Sequence, residues 1–169
     1  MDKHLIFYIM FFPTMIFFFW GLSLHVSMWL EGTLEGARSA TKREKFKIYI
    51  ANLSEVMAEH PPFPRIMMRE IASGWTHFSE AVVKDIAGIL IIVKEIIDEG
   101  VAKGVFIGIN PLVVHLMVIG TLLLFNLSLP MRKNYQYLLA GKIDVAEGEA
   151  LDNIIPEVQR IMLRALKGR

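Results

Sequence analysis

The chain's 169 residues are enough for one domain, but 54% of them are hydrophobic and the mean hydropathy is +0.45, too apolar for an ordinary soluble domain. Its 18 Lys and Arg balance 17 Asp and Glu, which leaves no basic field to hold a nucleic-acid backbone. Cysteine is absent, so this chain carries no disulfide scaffold, thiolate zinc site, iron–sulfur cluster or Cys nucleophile.

In chain order, Leu5–Leu30 is a run of 26 residues without Asp, Glu, Lys or Arg. It exceeds the ~20 residues a helix needs to cross a bilayer and the ~7–15-residue apolar region of a cleaved signal. Residues 1–31 are therefore expected to form a first transmembrane helix. Residues 32–104 are charged and are expected to form a cytoplasmic helical hairpin. Its first helix carries the apolar stripe Phe46, Tyr49, Ile50, Leu53, Val56 and Met57. His60-Pro-Pro-Phe-Pro64 ends it, because proline removes N–H donors and extends the residue before it.

A second stripe advances by threes and fours through Met68, Ile71, Trp75, Phe78, Val82, Ile86, Ile89, Val93 and Ile96, and predicts one long amphipathic helix. Lys84, Asp85, Lys94 and Glu95 interrupt it too often for a membrane span. Left bare, such a stripe exceeds the apolar patches of soluble monomers. Met68, Ile71, Trp75, Phe78 and Val82 are therefore read as a surface for a partner chain.

Residues 105–131 form a second uncharged run of 27 residues, read as the second transmembrane helix. Gly100, Gly104 and Gly108 recur every four residues at its start. Either Gly104 and Gly108 let another backbone approach closely, or they only loosen a helix start. Residues 132–169 are expected to form an amphipathic C-terminal helix, opened by the capping box Asp144-Val-Ala-Glu147. Its apolar face would be Ile154, Ile155, Val158, Ile161, Met162 and Ala165, with Pro156 kinking it.

The predicted fold is thus an all-α membrane protein: two transmembrane helices, a cytoplasmic amphipathic hairpin and a C-terminal amphipathic helix. Arg38, Lys42, Arg43, Lys45 and Lys47 follow the first span, against Arg132, Lys133 and Lys142 after the second. That bias places the 32–104 segment in the cytoplasm and both termini on the outer side.

Within the spans the ionisable groups are His25 and His115, and an ionisable side chain in a membrane is costly enough to imply a use. Neutral imidazole can be buried and can ligate haem iron. The alternative is a histidine hydrogen-bonded to a neighbouring helix. No Ser/His/Asp set, phosphate loop or acid–base pair is present, so an independent hydrolytic or transferase activity is not expected.

The stretch Val114-His-Leu-Met-Val-Ile-Gly-Thr-Leu-Leu-Leu-Phe-Asn-Leu-Ser-Leu-Pro-Met-Arg-Lys133, continuing to Ala140-Gly141, resembles the haem-bearing helix of a family of membrane cytochrome b subunits. These are the subunits related to respiratory nitrate reductase gamma and to the heterodisulfide-reductase and sulfite-reduction membrane anchors. In them a histidine opens a Leu-rich span that closes in Pro-x-x-Lys or Pro-x-x-Arg. Phe11-Phe-Pro, Phe17 to Gly21 and Trp29-Leu-Glu-Gly32 are similar to the first helix of the same group. The resemblance implies that His115 is an axial ligand of haem b. The family's second histidine is replaced here by Tyr135, Gln136 and Tyr137, so His25 or another chain would supply the second ligand.

The function expected from this likeness is that of a small subunit of a respiratory complex in a prokaryotic cell membrane. It would sit among other membrane and cytoplasmic subunits and pass electrons between a quinone-type carrier and a cytoplasmic partner. The alternative is a cofactor-free structural or assembly subunit of a membrane complex.

Overall fold

A computed structural model of the chain describes residues 32, 39–76, 78–139 and 151–168. Among them the structure is all-helical: α1 (Lys42–Glu59), α2 (Phe63–Ala72), α3 (Glu80–Ala102), α4 (Pro111–Leu127), α5 (Leu129–Leu139) and α6 (Leu151–Ala165). The predicted first span, with His25, lies outside the described residues, as does the capping box at 144–147.

Helix α1 starts where its local chemistry directs. Thr41 caps it: Glu44 N–H donates to Thr41 Oγ1, and the Glu44 carboxylate accepts from Thr41 N–H at 2.7 Å. All six residues of its predicted stripe are buried. The prolines that end α1 also open α2, with Pro64 in a first turn that has no use for its missing N–H.

The single long helix expected over 68–96 is two helices. Helix α2 stops in a Schellman turn: Trp75 N–H donates to Glu70 O at 2.8 Å and Gly74 N–H to Ile71 O at 3.2 Å, with Gly74 in the left-handed region at φ 76°. Ser79 then caps α3 by accepting from Val82 N–H. The three-and-four spacing continued across this break because a short turn happened to preserve it.

Helix α3 ends the same way, with Val105 N–H on Gly100 O, Gly104 N–H on Val101 O, and Gly104 at φ 67°. The glycines at 100, 104 and 108 therefore share no helix face. Gly100 is inside α3, Gly104 is the turn residue, and Gly108 lies in the extended segment 105–110. Gly100 is instead the seat of the Phe106 ring, since a Cβ there would lie 2.1 Å from Phe106 Cδ2. Gly100→Ala is expected to destabilise the chain by about 1–3 kcal/mol, read as a lowered thermal midpoint. Gly108→Ala, whose added methyl meets nothing within 4 Å, is expected to change stability by no more than about 0.5 kcal/mol.

The predicted second span is likewise interrupted. Residues 105–107 pair with the end of the chain, where Ile107 N–H donates to Leu166 O at 2.9 Å. Asn110 then caps α4, its Oδ1 accepting from Leu112 N–H, with Pro111 in the first turn. At Ser128 the axis bends by 67° into α5. Arg132 ties the bend by donating to Phe125 O at 2.9 Å while its guanidinium lies 3.7 Å over the Phe125 ring. Among the described residues no single helix is long and apolar enough to cross a membrane, though the bent α4–α5 pair passes by length and composition.

Helix α1 packs against α6, α3 and α4, and α4 also touches α2, α3 and α6. The Phe46 and Tyr49 rings lie tilted at 39° with centroids 5.8 Å apart, and Phe106 meets Phe46 edge-on at 6.2 Å. Helix α6 buries Ile155, Val158, Met162 and Leu166. Ile161 and Ala165, expected on that face, are exposed, because the i, i+3, i+7, i+11 line centres on Ile155 and runs past them.

Candidate functional site

Helices α1 to α4 do not close completely on one another. They leave a cavity of about 200 Å3 walled by Leu53 and Val56 of α1, Phe63, Met67 and Ile71 of α2, and Val82, Ile86, Ile89 and Leu90 of α3. Trp75 and Phe78 of the α2–α3 turn and Leu112, His115, Leu116, Ile119 and Leu123 of α4 complete it. Ile71, Trp75, Leu112 and Leu116 are exposed, so they form the mouth; Val56, Met67, Val82, Ile89, His115 and Leu123 are buried and form the floor. Apart from His115 and the Trp75 indole N–H, every side chain in that wall is a hydrocarbon or thioether.

His115 is buried, and its Nδ1 lies 2.7 Å from the Tyr49 hydroxyl behind the wall. Tyr49 is fully buried, and burial pushes its phenol far above its ordinary pKa, so the hydroxyl keeps its proton. A buried O–H needs an acceptor, and Nδ1 is the acceptor within reach. Tyr49 is thereby assigned as the donor, which leaves the imidazole proton on Nε2 as the polar group His115 has left to offer. Tyr49→Phe strands Nδ1 in an apolar site and is expected to cost about 1–3 kcal/mol, again read as a lowered thermal midpoint.

Trp75 carries strain. Its φ is +65°, and among the described residues no other non-glycine has a positive φ. Bulky side chains avoid that region, and holding one there costs about 1–3 kcal/mol. The Schellman turn does not require it, since Val105 fills the matching position after Gly104 without a positive φ. Phe78 meets the Trp75 indole edge-on at 5.0 Å.

The structure thus gathers part of the stripe assigned to a partner. Ile71, Trp75, Phe78 and Val82 converge on this cavity with His115, while Met68 packs half-buried beside the core. Gly104 and Gly108 stand apart from it. Tyr49 was visible in the sequence only as a stripe residue, and its partner lies 66 positions away, a pairing that helical periodicity does not encode.

His115 is the one imidazole on the wall of this cavity. No cluster of three or more metal-ligating His or acidic side chains occurs among the described residues. A space of about 200 Å3 suits a small apolar guest, since an apolar cavity of ~150 Å3 takes up benzene. Comparison with protein families, with curated proteins and with solved structures returns no match.

Proposed function

We propose that the chain is a membrane-attached helical subunit that holds a small, ring-sized apolar molecule in the α1–α4 cavity, with His115 as its polar anchor. The observation that carries this reading is an apolar wall containing one oriented imidazole. Convergent apolar surface supplies affinity and a single placed donor supplies orientation. A quinone-type carrier has the required shape and chemistry, a flat ring with a carbonyl that accepts from His115 Nε2–H. Residues 5–30 supply the membrane attachment, and Val113, Met117 and Leu124 give α4 an apolar outer face for the bilayer. Because α6 packs against α1 and Gln159 donates to Lys47 O at 3.0 Å, residues 39–104 and 151–168 lie on one side of the bilayer in this reading.

Calorimetric titration of the purified chain in detergent micelles with menadione, a quinone ring without a long tail, tests the reading. Saturable binding of one molecule per chain is expected. The absence of saturable uptake would return the chain to the role of a cofactor-free structural or assembly subunit. A b-type band in its dithionite-reduced spectrum would instead point to haem at His115.

A further inference from the structure

We infer that Trp75 sets the class of molecule the cavity accepts, favouring a flat unsaturated ring over a flexible aliphatic chain. This rests on the cavity reading above and narrows it. Three observations converge on Trp75. It lines the cavity at its mouth and yet is 42% exposed, so burial in the core is not what holds the side chain there. Its backbone sits at φ +65°, although the equivalent Val105 shows that the helix stop is built without this conformation. The chain therefore spends stability to place an indole where glycine would fit without strain, and such spending is characteristic of ligand-contacting positions.

Phe78 supplies the third observation. Its ring meets the indole at 5.0 Å with an interplanar angle of 70°, which fixes the direction of the indole plane. The deeper wall, built of Leu53, Val56, Ile89 and Leu123, is aliphatic and does not discriminate between ring and chain. A planar face at the mouth does, because offset stacking and edge contacts reward an aromatic or quinonoid guest beyond its apolar area.

The test compares menadione with 1-octanol, an aliphatic molecule that also carries one hydrogen-bonding oxygen, in calorimetric titrations of the full chain. Trp75→Leu, which keeps apolar bulk but loses the flat face, is expected to weaken menadione binding at least fivefold and octanol binding less than twofold. Trp75→Gly is expected to do the same while its thermal midpoint stays at or above that of the wild type, since the strain is relieved. Equal weakening of both ligands, unchanged menadione binding, or a lowered midpoint in Trp75→Gly would each overturn the inference and leave the cavity reading standing. Failure of the wild type to bind either ligand would overturn both.

Discussion

Phe46→Ala is expected to destabilise the chain by about 3–5 kcal/mol, the usual cost of removing a fully buried aromatic ring. The ring has no solvent exposure and stands between Tyr49 and Phe106, where α1 meets the segment after α3. Phe106 is seated in turn on Gly100, so the surroundings are pinned by backbone and cannot collapse cheaply into the space left behind. Phe46→Leu, which keeps most of the volume, is expected to cost less than half as much. Chemical or thermal denaturation of the three proteins checks the order. A loss under about 1 kcal/mol for Phe46→Ala would mean that this ring cluster is not the centre of the fold.

The second large effect concerns the cavity. Ile119 is half-buried on its wall, and Ile119→Trp directs an indole into space that is otherwise empty. Inserting bulk into a packed core costs stability, whereas inserting it into a void gains contacts that the lining otherwise lacks. The variant is therefore expected to hold or raise its thermal midpoint while losing menadione binding at least tenfold, a difference of about 1.4 kcal/mol. Retained affinity in Ile119→Trp would place the ligand elsewhere on the chain.

Much of the helical core was legible in the sequence. The stripe Phe46 to Met57 reads directly as the buried face of α1, because helix period and burial coincide there. The prolines at 61, 62 and 64 mark the α1–α2 corner, because their covalent geometry is independent of tertiary context. The break between α2 and α3 was written in Ala72-Ser-Gly-Trp75 and repeated in Ala102-Lys-Gly-Val105, both Schellman stops. Apolar periodicity outweighed that signal, since a turn that preserves the spacing leaves no mark on the pattern.

The candidate site was legible only as separate residues. His115 stood out because an ionisable group in an apolar run is costly, and Trp75 and Phe78 because of their regular spacing. What joins them is the packing of α4 against α1, α2 and α3, and that packing depends on contacts between segments far apart in the chain. The role of Tyr49 follows from the same packing. The uncharged run of 105–131 concealed it: apolar length alone describes a membrane span and a buried helix equally well, and α4 buries Val114, His115, Val118, Leu122 and Leu123 against its neighbours.

The most direct test of the His115 anchor is the 15N spectrum of its imidazole, assigned by comparison with His115→Gln, in the free chain and with one equivalent of menadione. The expected result is an unprotonated Nδ1 and a protonated Nε2 in the free chain, with the Nε2 resonance shifting on titration while Nδ1 keeps its bond to Tyr49. A proton on Nδ1, or menadione binding that leaves Nε2 unmoved, would contradict the assignment of His115 as the polar anchor of the cavity.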